Sequence, residues 1–247
     1  IISRVYMNVF AKILDELFPE NFTCELCGKE IFDGGKFCKK CAERVTFNNG
    51  KTCPVCGRKT LTAAICLECK ASAPQYARAV SALVYADGAA ALVNKFKNGG
   101  AYLKNYFAVL LCEKCLQFAD ADCVCFVPMT KKAERKRGYN QSYLIAKELA
   151  KTLKLPLLKN AVEKVKETPS QKTLSKRKRE ENLRSCFRAD RQIVEGRTII
   201  VVDDVLTTGA TVEAISVELL KRGAKRVYVA TVASVEYSEK KVDVGAI

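Results

Sequence analysis

Four Cys-x-x-Cys pairs follow one another near the beginning of the chain, and they constrain its fold more than any other feature. The pairs are Cys24/Cys27, Cys38/Cys41, Cys53/Cys56 and Cys66/Cys69. Two residues between cysteines let both sulfurs reach one tetrahedral ion at roughly 2.3 Å, and two pairs complete a four-sulfur site. Gly28 and Gly57, which follow the second cysteine of a pair, suit the tight turn required there. The sequence therefore predicts a small domain built around two structural zinc ions.

The four pairs can be combined in two ways. The simpler, sequential combination places one ion on Cys24, Cys27, Cys38 and Cys41, and the other on Cys53, Cys56, Cys66 and Cys69. An interleaved combination joins the first pair to the third and the second to the fourth, and the spacing alone leaves it open. In either case four thiolates leave no coordination position for water. The predicted role is therefore in folding, where zinc contributes about 10–16 kcal/mol per site in small zinc peptides.

The absence of histidine and the remaining cysteines limit the kinds of catalytic and metal sites that the chain can form. The chain has 13 cysteines and no histidine, which excludes histidine acid/base catalysis and histidine metal ligands. Five cysteines lie outside the four pairs and are expected to be small buried apolar residues: Cys112, Cys115, Cys123, Cys125 and Cys186. A third metal site formed by the first four of these is the alternative.

Length and hydropathy predict a cytoplasmic protein with two unequal domains. The 247 residues with 49% hydrophobic content are enough for one large core and a small second domain. The first apolar residues recur at helical spacing with Asp15 and Glu16 between them, which is unlike a signal peptide. No apolar run has the length of a membrane span, so no membrane partner is expected.

Positive charge is concentrated in one stretch of the chain. The 42 basic and 27 acidic residues give a net charge of +15. Between Phe126 and Arg188, 18 basic and 6 acidic residues leave 18 − 6 = +12 of that excess. Such a concentration indicates a polyanionic partner, either nucleic acid or a phosphorylated small molecule.

The chain after Cys69 alternates between strand and helix patterns, which predicts an α/β domain with a parallel sheet flanked by helices. The predicted strands are 79–85, 123–127, 198–203 and 226–232. The predicted helices are 90–98, 102–118, 141–153 and 211–222, the last ending before Gly223. Pro74 lies in the predicted linker, so the domains are expected to be 1–75 and 76–247.

One segment of the second domain predicts a binding site. In residues 198–224 a β-branched run ends in Asp203 and Asp204, and a Thr/Gly loop then opens a helix. Backbone N–H groups at such a loop and helix start bind phosphate. Two carboxylates beside it would repel a bare phosphate but accept hydrogen bonds from sugar hydroxyls. The segment therefore predicts a sugar-phosphate site.

The sequence VVDDVLTTGAT in this segment resembles the phosphoribosyl diphosphate motif of type I phosphoribosyltransferases. The resemblance implies that Asp203 and Asp204 contact the ribose hydroxyls. It also implies that five consecutive residues hold the 5′-phosphate: Thr207, Thr208, Gly209, Ala210 and Thr211. Magnesium would accompany the diphosphate.

Two further segments resemble the ComF family of competence-associated proteins. They are VPMTKKAERKRGYNQSYLIAKELA at 127–150 and KVKETPSQKTLSKRKREENLRSCF at 164–187. The cysteine module also matches that family's layout, so the resemblance covers nearly the whole chain. It implies a diphosphate loop at Met129, Thr130 and Lys131, with added charge from Arg135 and Arg137. It further implies a mobile loop over 164–184 that includes Lys164, Gln171 and Arg179, although Lys164 stands where an arginine is expected.

These resemblances leave three functional hypotheses. The first is a phosphoribosyltransferase that displaces diphosphate from ribose, with an acceptor that the sequence does not reveal. The second is a non-catalytic module that handles single-stranded DNA during natural transformation. The third is a scaffold whose zinc ribbons dock other competence proteins.

Overall fold

The computed structural model describes residues 23–32, 34–166, 183 and 185–237. Its central element is a four-stranded parallel sheet of order β1-β6-β5-β2. The strands are β1 (Arg78–Val84), β2 (Cys123–Phe126), β5 (Thr198–Leu206) and β6 (Arg226–Ser234). All four predicted strands and their parallel arrangement are thus confirmed, with β5 extending past both aspartates.

A separate antiparallel hairpin, β3 (Val162–Lys164) and β4 (Phe187–Ala189), was not predicted. Each of its strands has only three residues, too few to show a recognisable alternation of apolar and polar side chains.

Eight α-helices have both ends in the described part of the chain and are numbered in chain order, and a short 3-10 helix spans Ala101–Leu103. Four short ones are α1 (Lys39–Ala42), α2 (Leu67–Ser72), α5 (Lys131–Arg137) and α7 (Arg191–Val194). Four longer ones are α3 (Asp87–Lys97), α4 (Lys104–Cys115), α6 (Gln141–Leu153) and α8 (Ala210–Lys221). The longer four correspond to the predicted helices, and Gly223 follows α8 with a φ of 92° as expected of a helix stop.

The sheet is buried on both faces because successive side chains of its strands point in opposite directions. Ile200 and Val202 of β5 join one apolar cluster with α3, α4 and α6. Ile199 and Val201 join a second cluster with α8. Continuous apolar strands such as β5 and β6 are typical of this three-layer arrangement.

The cysteine module packs against the sheet domain, with residues 46–48 lying along the free edge of β1. Asn48 donates its backbone N–H to Ala82 (2.8 Å), and Val84 donates to Thr46 (2.9 Å). The buried Asn48 amide nitrogen also donates to Gly57 O and Ser81 Oγ, both at 2.7 Å. The backbone bonds pair N–H and C=O groups of β1 that the edge of a sheet would otherwise leave without partners. The predicted boundary near residue 75 therefore separates units that are in extensive contact.

None of the helices in the described ranges combines the length and the apolar composition that a bilayer crossing requires.

Candidate functional site

Two adjacent carboxylates lie near the end of β5, at the carboxyl edge of the sheet. Asp203 Oδ1 accepts hydrogen bonds from Ser142 Oγ of α6 (2.8 Å) and from the backbone N–H of Asp204 (2.9 Å). Ser142 is buried in the first turn of α6, so that helix fixes the orientation of the Asp203 side chain. In open α/β sheets this edge is where ligands bind.

Burial and the neighbouring Asp204 carboxylate raise the pKa of Asp203 to about 7. Three groups oppose the rise in pKa because each favours the charged carboxylate: the Ser142 hydroxyl, the Asp204 amide and Lys97. Asp203 is therefore poised to change protonation state near neutral pH.

Lys97 faces these carboxylates from the last residue of α3. Its Nζ lies 3.0 Å from Asp204 Oδ2, and the two side chains are 27% and 15% exposed. The end of α3 is held by Tyr139, whose hydroxyl donates to Phe96 O and accepts from Gly99 N. Lys97 is not identified from the sequence, because a single lysine at the end of an amphipathic helix is common and does not by itself indicate a binding site.

The predicted phosphate loop comprises residues 207–211, which follow β5. Gly209 adopts a left-handed conformation (φ 80°) and begins the twelve-residue helix α8, and no side chain caps that helix start. Thr207 and Thr208 are exposed, while Gly209, Ala210 and Thr211 are partly buried. Thr208 Oγ1 lies 3.4 Å from Ala210 N. The first backbone amides of a helix have no acceptor within the helix, and beside threonine hydroxyls they make a suitable surface for an anion.

A cavity of about 670 Å³ lies between the loop after β2 and the β3–β4 hairpin. Met129 and Lys131 line it, together with Phe126, Asn140 and Arg188. Thr130 instead caps α5, because its Oγ1 accepts from Ala133 N at 3.2 Å. The three predicted diphosphate residues thus lie in the segment after β2, and two of them, Met129 and Lys131, line the cavity.

The first residue of the predicted mobile loop lies in a strand. Lys164 is the last residue of β3 and pairs with Phe187 of β4, so it belongs to the hairpin stem. Its Nζ lies 5.8 Å from the centre of the Phe187 ring, and the residue also lines the cavity. Gln171 and Arg179 lie outside the described residues.

The eight cysteines form two groups, and the grouping is sequential. The first group is Cys24, Cys27, Cys38 and Cys41, and the second is Cys53, Cys56, Cys66 and Cys69. Within each group all sulfur atoms lie within 4.8 Å of one another. The Cys27 and Cys38 sulfurs are 3.9 Å apart, and those of Cys56 and Cys66 are 3.8 Å apart. Ligands of a tetrahedral zinc ion with 2.3 Å bonds are about 3.8 Å apart, so both groups fit that ion.

The two groups differ in their surroundings. All four cysteines of the second group are buried, whereas Cys27 of the first is exposed. Beside the second group, the buried Arg58 guanidinium lies 3.3 Å from Cys56 Sγ and 2.5 Å from Glu68 Oε2. A four-thiolate zinc site carries two negative charges, and Arg58 compensates part of them.

The alternative third site is not supported. Among the residues that the structure describes, no group of three or more metal-ligating side chains includes Cys112, Cys115, Cys123 or Cys125. All of the remaining cysteines except the partly buried Cys112 are buried, as expected of apolar residues.

Two family profiles match the chain. The double zinc ribbon domain matches residues 13–70, and the phosphoribosyl transferase domain matches residues 140–247. The DNA utilization protein YhgH of Escherichia coli K12 is 32% identical over 217 residues, which cover 83% of this chain and 94% of that protein. This chain belongs to the ComF family.

Other relatives of this ComF protein carry competence names. Competence protein F of Haemophilus influenzae is 28% identical, covering 85% of this chain and 95% of the relative. Competence protein ComFC of Bacillus subtilis is 28% identical, covering 86% and 90%. Among solved structures, the adenine phosphoribosyltransferase of Thermoanaerobacter pseudethanolicus aligns with 65% of this chain and 92% of its own, at 15% identity and a TM-score of 0.36. That likeness is too weak to bear on function.

Proposed function

We propose that this ComF protein binds phosphoribosyl diphosphate with Mg²⁺ at the carboxyl edge of its sheet. The observation that carries the proposal is the Asp203/Asp204 pair near the end of β5, followed by a short loop that opens α8 at Gly209. The carboxylates accept hydrogen bonds from ribose hydroxyls, and the phosphate loop amides hold the 5′-phosphate. The cavity beside Met129 and Lys131 offers space for the diphosphate.

A transfer reaction at this site breaks the bond between the ribose anomeric carbon and a diphosphate oxygen, and forms a bond from that carbon to an acceptor, whose proton leaves with the diphosphate. Mg²⁺, when bound, would neutralise part of the negative charge of the diphosphate. The chain's own residues bind and orient: Asp203 and Asp204 hold the ribose, and Lys131 adds positive charge on the diphosphate side. This chemistry needs little proton transfer by the protein, which agrees with a chain that has no histidine.

We also propose that the protein acts in the cytoplasm on DNA taken up during natural competence, in contact with single-stranded DNA and other competence proteins. The names of its relatives, competence protein and DNA utilization protein, support this role. The charge excess between Phe126 and Arg188 supports phosphate contacts. Single-stranded DNA binding is expected to weaken steeply with rising salt and to persist in Asp204→Ala, since that residue lies outside the basic stretch.

The deciding measurement is isothermal titration of the zinc-loaded protein with phosphoribosyl diphosphate and Mg²⁺. Asp203→Asn with Asp204→Asn keeps the shape of both side chains and removes their charge, so we expect it to abolish binding. Asp120→Asn is the matched control, because Asp120 is paired with Arg226 at the opposite edge of the sheet. Binding that the double variant retains, or no binding by folded wild type, would contradict the proposal.

A further inference from the structure

We propose that the second zinc ribbon, residues 52–72, positions the phosphate loop, and that Tyr76 is the residue through which it does so. The inference rests on the proposed ribosyl-phosphate site and assigns the second ribbon a role in it. The first ribbon, residues 23–42, has a different contact surface and serves as the internal comparison.

Tyr76 lies between the second zinc site and the phosphate loop. It is 5% exposed and shares one buried cluster with the four cysteines of the second site and with Leu206 and Val212, which flank the loop. A Cβ built on Gly209 would lie 3.7 Å from the Tyr76 hydroxyl. The neighbouring Gln75 donates its backbone N–H to Glu213 Oε2 of α8 at 2.9 Å. The segment leaving the second ribbon is therefore attached to the C-terminal side of the loop.

The other side of the loop is joined to the same ribbon. Lys59 O of the ribbon accepts from Tyr237 N at 3.1 Å, and Arg58 lies over the Tyr237 ring at 5.8 Å. Two residues earlier, Val235 N donates to Leu206 O at 3.1 Å. Leu206 immediately precedes the phosphate loop. Both ends of the loop are thus connected through hydrogen bonds to the second ribbon or to the segment that leaves it.

The first ribbon contacts α3 and α4 instead. Lys95 of α3 donates to Glu25 O at 2.8 Å, and Phe37 packs edge-on against Tyr106 of α4 with ring centres 5.8 Å apart. Its two buried cysteines form a small cluster of their own with Ile31. This difference predicts that disturbing the two ribbons has different effects on the loop.

A phosphate loop binds through the positions of several amides at once, so a small displacement weakens all of its hydrogen bonds together. Removing the Tyr76 side chain takes away the hydroxyl beside Gly209 and also the ring from the buried cluster that contains Leu206 and Val212, so the loop becomes freer to move. Tyr76→Phe removes only the hydroxyl and keeps the ring packed in that cluster with Leu206 and Val212. Tyr76→Phe should therefore restore what Tyr76→Ala loses.

The test compares Tyr76→Ala, Tyr76→Phe and Tyr106→Ala, each with two bound zinc ions confirmed by metal analysis. Tyr106→Ala is the matched control, because it removes a tyrosine at the first ribbon's contact. The first readout is hydrogen exchange of the amides in 207–213 without ligand. The second is affinity for ribose 5-phosphate, which carries the sugar and the 5′-phosphate but no diphosphate.

We expect Tyr76→Ala to speed loop exchange and to weaken ribose 5-phosphate binding by about tenfold or more, equivalent to about 1.4 kcal/mol. Tyr76→Phe and Tyr106→Ala should stay within about twofold of wild type. Unchanged exchange in Tyr76→Ala, or an equal change in Tyr106→Ala, would overturn the inference. If wild type binds neither ribose 5-phosphate nor phosphoribosyl diphosphate with Mg²⁺, the proposed function fails, and the exchange comparison still tests the link between ribbon and loop.

Discussion

The protonation of Asp203 couples the charge of the carboxylate pair to the stability of the fold. Its pKa rises from 3.8 to about 7 on folding, so the folded state holds a proton that the unfolded state releases between those values. Stability from this group is therefore present at low pH and is lost as pH rises toward 7. We expect the unfolding free energy of wild type, measured relative to Asp203→Asn, to fall by roughly 2–3 kcal/mol from about pH 5 to about pH 8. Urea unfolding of both zinc-loaded proteins at the two pH values checks this. A constant difference would show that the Asp203 pKa is not raised.

Lys97 offers a second test at the scale of single residues. Its ion pair with Asp204 (3.0 Å) is matched by the pair between Lys104 and Glu148 (3.1 Å), whose side chains have similar exposure. Lys97→Met and Lys104→Met should each lower the unfolding free energy by about 1–2 kcal/mol, since each strands a partly buried carboxylate.

Only Lys97→Met should also weaken phosphoribosyl diphosphate binding, by about tenfold, because it removes a cation from an anion site. Denaturant titration measures the first effect and calorimetry the second. Equal loss of binding in both variants would mean that Lys97 has no special place in the site.

At the scale of elements, the turns of the two ribbons make different contacts. Gly28 and Gly57 both have positive φ, 74° and 67°. A Cβ on Gly28 would meet nothing within 4 Å, whereas a Cβ on Gly57 would lie 2.4 Å from Ala79 O of β1. The second ribbon therefore approaches the sheet at backbone distance, and only glycine permits that approach.

Gly28→Ala should cost about 1 kcal/mol of backbone strain, and Gly57→Ala about 3 kcal/mol or more because the clash adds to it. Thermal or chemical unfolding of the zinc-loaded variants measures both costs. Similar losses for the two would indicate that the turn at Gly57 can move away from β1 at little cost.

For the whole molecule, the two zinc sites should exchange metal at different rates. Cys27 is exposed and Cys38 partly exposed, while the second site is enclosed by Arg58 and the sheet. With a chelator in excess, we expect one equivalent of zinc to leave fast and the second to leave only with unfolding of the sheet domain. A colorimetric zinc indicator, followed beside circular dichroism, separates the phases. Single-phase release of both ions would contradict the difference in enclosure.

Short-range spacing determined much of this protein in advance. The Cys-x-x-Cys spacing determined eight thiol ligands, and the Val-rich runs before Asp203 and in 226–232 determined buried parallel strands. The Asp-Asp and Thr-Gly pattern determined a carboxylate pair beside a helix start. Each of these patterns lies within one or two adjacent elements, where backbone geometry dictates which groups come together.

The tertiary structure alone decided the long-range contacts. It resolved the cysteine grouping as sequential, brought Lys97 to Asp204 and Ser142 to Asp203, and placed Tyr76 against Gly209. It also showed residues 46–48 paired with β1, so that the zinc module joins the sheet domain. The partners in each of these contacts are far apart in the chain, and no repeating sequence pattern links them. Their meeting depends on how helices and ribbons pack around the sheet, and that packing is a property of the whole buried core rather than of any local pattern.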